Sequence, residues 1–309
     1  MSATRPATGG QHEIRHGAAV ARVGEVAAVL REFSVGGVPF TETWDDDEVP
    51  PMGCGIVLVP WPNRVADGRW IYQGAVQKLD ITDLSNGNAI HGLLRNTAYR
   101  PVSVQDSAVT LAASIYPQHG YPFILDTEVR YALSDDGLSV THRLTNVGAA
   151  AAPFGVGAHP YLRVGAHPVR ELEITVSGTE YARTNERSIP VSVESVDGTP
   201  MDLRSGVRLA GLDADVALTG FAVTDGRVEH RLAAPDGTGL VVWADEVFRW
   251  AQVFAPANFP GPGKPNQRKA IAVEPMTCGV NALNTGQDLI WLEPGDTWSA
   301  SWGLRPTGF

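Results

Sequence analysis

The run Ala270-Ile271-Ala272-Val273-Glu274-Pro275-Met276-Thr277 sets one carboxylate among apolar residues, immediately before a proline. Such a run reads as a strand ending in Glu274, where partial desolvation would raise the carboxyl pKa toward a value useful in a general base. A strand-end carboxylate is also an ordinary solvated edge charge, so Glu274 needs partners before it can carry chemistry. The best acid candidate is His159 in Pro153-Phe154-Gly155-Val156-Gly157-Ala158-His159-Pro160-Tyr161. Pro160 biases this histidine toward an extended backbone, and the small residues before it clear space around the imidazole. The competing reading is a satisfied core histidine.

Two further segments offer groups that can hold hydroxyls. In Pro60-Trp61-Pro62-Asn63-Arg64-Val65-Ala66-Asp67-Gly68-Arg69-Trp70, Arg64 supplies a fixed fork of donors, and Asn63 can both donate and accept. The same stretch reads equally as a proline-rich turn with a surface arginine. Trp61 and Trp70 offer apolar faces for sugar C–H groups, or simple packing. In Asn88-Ala89-Ile90-His91-Gly92-Leu93-Leu94-Arg95, the glycine lets a backbone or ligand come close. His91 could therefore hydrogen-bond a hydroxyl or polarise a ring oxygen, or merely complete a turn. His142 shares a strand face with Val140 and Leu144 and is expected to be buried. His119 is read as a turn residue, and His12, His16, His167 and His230 receive no role.

The elements that must position these groups are strands. Apolar residues alternate at Leu138, Val140, His142 and Leu144, at Leu172, Ile174 and Val176, and at Trp298, Ala300, Trp302 and Leu304. Between such runs stand Ser134-Asp135-Asp136-Gly137, Val196-Asp197-Gly198, Thr224-Asp225-Gly226 and Pro235-Asp236-Gly237, whose residues suit hairpin turns. Helical periodicity is nowhere sustained for four turns. The fold class is all-β, an antiparallel meander. A long loop is expected around residues 258–265, where prolines exclude a central strand. There is no internal repeat, and neither GxGxxG nor GxxxxGK[ST] occurs, which removes the common nucleotide-binding readings.

Composition narrows the function further. A net charge of −10 argues against nucleic-acid or anionic-membrane partners, which bind clustered lysine and arginine. The two cysteines, Cys54 and Cys278, give neither a disulfide framework nor a zinc pattern. A reducing cytoplasm is the expected compartment. The polar N-terminus lacks a signal-peptide core, and no apolar run is long enough for a membrane span. Residues 1–14 are expected to form a flexible segment and 15–309 a single domain.

Taken in order, these four segments resemble the aldose 1-epimerase (galactose mutarotase) family. The matching pieces are Asn63-Arg64 with Gly68, His91-Gly92, Gly157 to Tyr161, and Val273 to Thr277 with Asn281-Ala282. The resemblance implies a large β-sandwich of the galactose mutarotase type, a supersandwich, whose concave face binds an aldose. It implies Glu274 as general base, His159 as general acid, and Arg64, His91 and Asn63 as substrate-binding groups. It also implies a substrate-binding aspartate, placed at Asp215, with Asp213 as competitor. Leu218 and Met276 depart from the family pattern, which has an aromatic residue and often a glutamine there. No metal or cofactor is implied, and the expected assembly is a monomer or homodimer. The rival readings are a hexose-6-phosphate epimerase, with Arg64, Arg69 and Arg95 available for the phosphate, and a carbohydrate-binding protein without turnover.

Overall fold

The structure, a computed structural model, describes residues 5–260 and 267–309. Within these residues the alternating runs become two large antiparallel sheets. A nine-stranded sheet runs in the order Arg100–Gln105, Ala108–Ile115, Leu125–Ser134, Gly137–Asn146, Thr297–Thr307, Gly239–Asp245, Arg227–Ala233, Glu173–Val176 and Val207–Arg208. A seven-stranded sheet runs Pro190–Ser195, Glu180–Thr184, Asp215–Thr219, Trp250–Phe254, Ala272–Met276, Gly157–Ala158 and Val57–Leu58. One apolar cluster joins them, with Val129, Val140, Val242 and Trp302 from the first and Val216, Val253 and Val273 from the second. This is the expected all-β sandwich, and its one α-helix among the described residues is Ala282–Thr285.

Period-two patterning works because each strand of the larger sheet turns one face to that cluster. In Leu125–Ser134 the residues Leu125, Thr127, Val129, Tyr131 and Leu133 are buried, while Asp126, Arg130 and Ser134 are exposed. Two of the four turn sequences join neighbouring strands. Ser134 to Gly137 closes the hairpin onto Gly137–Asn146, and Pro235-Asp236-Gly237 closes the one onto Gly239–Asp245.

Three readings of the sequence change. Of the N-terminal segment expected to be flexible, residues 11–14 open the strand Gln11–His16, paired throughout with Ala19–Gly24, because Ile14 is wholly buried there. Residues 1–4 lie outside the described residues. Of the expected loop, Phe259–Pro260 pairs with Gln267–Arg268, and residues 261–265 lie outside the described residues. Glu274 does not end its strand: Ala272–Met276 continues through Pro275. The neighbour Gly157–Ala158 registers with it only at Met276, so the missing proline N–H falls where that ladder is thinnest. Trp61 and Trp70 are packing residues, each 2% exposed, and the Trp70 indole donates to the Gly120 carbonyl at 2.7 Å.

His142 is buried as expected and accepts a hydrogen bond from the Trp302 indole at 3.0 Å. Burial pushes its pKa down to about 3, and that of His230 down to about 4. Both are neutral in the folded chain but take up a proton near pH 6.5 when unfolded. Below that pH the unfolded state binds more protons, so stability falls as pH drops from 6.5 toward these folded values, by up to about 1.4 kcal/mol per pH unit for each histidine. His142→Gln, which keeps an acceptor for the indole, should make urea-derived stability less dependent on pH, by about 2 kcal/mol between pH 6.5 and 5. An unchanged slope would mean that His142 is not held neutral.

Candidate active site

The seven-stranded sheet forms the floor of a cavity of about 280 Å³, near the lower end of small-molecule sites. Gln252 pairs directly with Glu274, and Asp215 with Phe254. Cross-strand partners share a face, so Asp215, Gln252, Phe254 and Glu274 all look into the cavity. His159 follows Gly157–Ala158 on the next strand. Its backbone is pinned at both ends, N–H to Ile56 O at 3.0 Å and carbonyl to Gly55 N–H at 2.8 Å. The opposite wall comes from residues 63–95, including Asn63, Arg64, Asp83, His91 and Arg95. All six residues singled out in the sequence line this one cavity.

Asn63 and His91 anchor the wall in an unusual way. Both have positive φ, 53° and 64°, a region that asparagine tolerates better than most residues. His91 N–H donates to Asn63 O at 2.9 Å, and Asn63 N–H donates to His91 Nδ1 at 3.3 Å. With Nδ1 accepting, the neutral imidazole carries its proton on Nε2. The glycine after His91 permits the close approach anticipated from the sequence, and what approaches is backbone: a Cβ on Gly92 would lie 2.0 Å from Val59 O.

Arg64 donates from Nε to Asp83 at 2.9 Å and from Nη1 to Asn63 Oδ1 at 3.3 Å. Burial raises the Asp83 pKa, but hydrogen bonds from Asn86, Arg64 and Ser85 outweigh it and hold the carboxyl below its usual value. Asn63 Nδ2 donates to Gln252 Oε1 at 3.0 Å, and Gln252 Nε2 donates to Asp215 at 2.6 Å. The side chain of Asn63 is thus largely engaged by the protein, with one amide hydrogen left for a ligand. Asn281, at the end of the fourth motif, accepts from Ala66 N–H at 3.0 Å and donates its own N–H to Arg64 O at 2.8 Å, which fixes the Arg64 segment. Between the two aspartates, Asp215 lines the cavity and Asp213 does not. Leu218 and Met276 are buried away from the lining. Of the arginines weighed for a phosphate, Arg64 and Arg95 line the cavity while Arg69 is exposed outside it.

At the centre, His159 Nε2 and Glu274 Oε1 are 3.3 Å apart, with side chains 5% and 2% exposed. Tyr161 stacks on the imidazole at 5.2 Å. Desolvation raises the Glu274 pKa well above its usual value; the charge of Asp215 adds to this, and that of Arg64 opposes it. Desolvation likewise pushes His159 down to about 4. One cause therefore favours the neutral form of both groups, the carboxylic acid of Glu274 and the neutral imidazole of His159. Glu274 Oε2 and His159 Nδ1 are buried without a hydrogen-bond partner among the described residues.

Two residues of this network, Asp83 and Gln252, were missed in the sequence. Gln252 had a usable signal, a lone polar side chain in the apolar strand Trp250-Ala251-Gln252-Val253-Phe254. Asp83 had none, since it lies in the polar turn Thr82-Asp83-Leu84-Ser85-Asn86.

Histidine-resolved NMR titration of the ligand-free protein should place the His159 midpoint near 4, well below the usual 6.5. A midpoint at or above 6.5 would mean that the carboxyl partner, and not burial, governs the imidazole.

The family profile "Aldose 1-epimerase" matches residues 14–305. The uncharacterised protein YihR of Escherichia coli K12 is 34% identical over 272 residues, covering 87% of this chain and 84% of that protein. Among solved structures, a GalM/aldose epimerase homologue from C. elegans superposes with a TM-score of 0.84 at 18% identity, covering 97% of this chain and 99% of that one. A galactose mutarotase-like protein from Clostridium acetobutylicum gives 0.82 at 17% identity, covering 96% and 95%. At these identities the structures speak to the fold alone.

Proposed function

The chain belongs to the aldose 1-epimerase family, and on that premise we propose that it interconverts the α and β anomers of an aldose by acid–base ring opening. The observation that carries this reading is the buried Glu274–His159 pair on the floor of a cavity walled by Arg64, His91 and Asp215.

With the sugar seated, the Glu274 carboxylate takes the proton of the C1 hydroxyl while the His159 imidazolium gives one to the ring oxygen. The C1–O5 bond breaks, its electron pair passes to O5, and the C1 carbonyl forms. Rotation about C1–C2 and the reverse transfers close the ring on either face. The proton count of the pair is the same before and after, which suits an isomerisation. In the empty site burial favours the proton on Glu274, so it must pass to His159 before Glu274 can act as base. The 3.3 Å contact is the path. Sugar hydroxyls entering the cavity supply the donors that Glu274 Oε2 lacks, which stabilises the carboxylate. His91 Nε2–H and Arg64 donate to sugar oxygens, and Asp215 accepts from hydroxyls.

General acid and general base help are each worth on the order of 10²–10⁴. Polarimetry on freshly dissolved α-D-glucose and α-D-galactose should show acceleration by the wild type. Glu274→Gln should lose most of it, since the change keeps shape while removing the base, and His159→Asn should lose a comparable factor. Full activity in both variants would defeat the assignment of the pair. No acceleration by the wild type across a panel of aldoses would favour a sugar-binding protein without turnover.

A further inference from the structure

A second cavity, of about 590 Å³, shares no lining residue with the first. It lies at one end of the seven-stranded sheet, where the chain leaves the strand of Gln252 near Ala257 and approaches that of Glu274 from Lys269. Its lining carries four cations, Arg163, Arg170, Arg268 and Lys269, together with His167 and, among the described residues, no carboxylate. Three carboxylates stand behind it. Glu42, wholly buried, accepts from Arg268 at 2.6 Å and lies 3.8 Å from Arg163. Asp213 acts on Lys269, and Asp236 lies 3.0 Å from His167. Glu171 follows Arg170 in sequence but forms no ion pair with it among the described residues. Four cations against three carboxylates leave one positive charge with His167 neutral, in a chain whose net charge is −10.

The donors of this lining are also under-used. Among the described residues the Arg170 guanidinium has no partner, and Arg268 Nε is buried without an acceptor. Arg163 spends Nε on Gly165 O at 2.9 Å and keeps its terminal nitrogens. Lys269 gives two protons, to Leu212 O and Ala255 O, and keeps a third. Holding such charges partly out of water without a full set of acceptors is unfavourable, and a ligand that brings the acceptors relieves that.

We propose that this second cavity binds a small phosphomonoester. Such a group carries about −1.5 to −2 charge near pH 7 and three terminal oxygens that accept strongly. The free donors of Arg163, Arg170 and Lys269 match three oxygens, whereas a carboxylate offers only two. The surplus of one charge becomes two when His167 is protonated, which spans the charge of the ligand. Phosphate alone would fill only part of the cavity, whose volume lies in the range of small-molecule sites. Ala166, Val169 and Ala257 give the organic body an apolar wall.

Calorimetric titration with phenyl phosphate, inorganic phosphate and benzoate at constant ionic strength tests this. Phenyl phosphate should bind with a Kd below about 1 mM, and at least about 10-fold more tightly than either of the others. Arg170→Ala and Arg163→Ala should each weaken it by about 10-fold or more. Arg170 is exposed and unpartnered among the described residues, so its replacement leaves the fold intact, and thermal melts check both variants. Arg64→Ala in the first cavity and Arg15→Ala on the strand Gln11–His16 should leave binding unchanged. Loss in Arg64→Ala would place the anion in the first cavity, and loss in Arg15→Ala would reduce it to the general field of the protein. Either result overturns the site. Benzoate binding as tightly as phenyl phosphate would overturn the phosphate, and inorganic phosphate binding as tightly would overturn the ester. No binding of phenyl phosphate to the wild type at about 10 mM would overturn the proposal as a whole.

Discussion

Glu274 lies mid-strand, with paired neighbours on both edges and packing on both faces, so its carboxyl meets solvent only through the cavity. Much of the surrounding structure answers to that burial. The same low-dielectric setting acts on His159, and because it disfavours charge of either sign it drives the two groups toward sharing a single proton. A wider, wetter floor would leave a carboxylate and an imidazole titrating near their ordinary values, with no reason to exchange. The nearby charges are tethered accordingly. Asp83 and Asn63 hold Arg64, and Gln252 holds Asp215. The charges that act on Glu274, those of Asp215 and Arg64, are therefore held in place by neighbouring side chains.

The framework was readable because sheet patterning is local. A strand with one dry face alternates whatever it packs against, and Leu138, Val140, His142 and Leu144 do so in Gly137–Asn146. The central strands of the smaller sheet are harder to read, since Ala272–Met276 is buried on both faces and shows no alternation. That is why Glu274 looked like a strand end: a carboxylate and a proline in an apolar run are natural stop signals until a partner sheet encloses them. His159, Arg64 and His91 stood out through their glycine and proline neighbours, which mark backbone constraint. Gln252 was passed over despite being the lone polar residue of an apolar strand, because its partners Asn63 and Asp215 lie far along the chain, and Asp83 sits in a polar turn that gives it no distinguishing mark. Asparagine at position 63 looked like a ligand group, and much of its work turns out to be holding other side chains in place.

The left-handed pair Asn63 and His91 shows how a local rule and a distant one meet. Each conformation is uncommon for a side-chain-bearing residue, and each is stabilised by the hydrogen bond that the other provides. Gly92 then allows Val59 to seat the pair against the sheet, since any Cβ there would strike the Val59 carbonyl. Histidine orientation, tautomer and wall position are in this way set by main-chain geometry.

The cavity draws on segments spread along the sequence, and the bond from Asn63 to Gln252 closes a span of 189 residues. The strands that carry Asp215, Gln252, Glu274 and His159 are adjacent in space but interleaved in order. A nascent or truncated chain can form the hairpins of the larger sheet from local contacts, yet it has no means of assembling Glu274, His159 and the tethered side chains around them until the long-range pairings close. The cavity in this architecture is therefore completed late and all together, which makes ligand binding in it a reporter of completed folding.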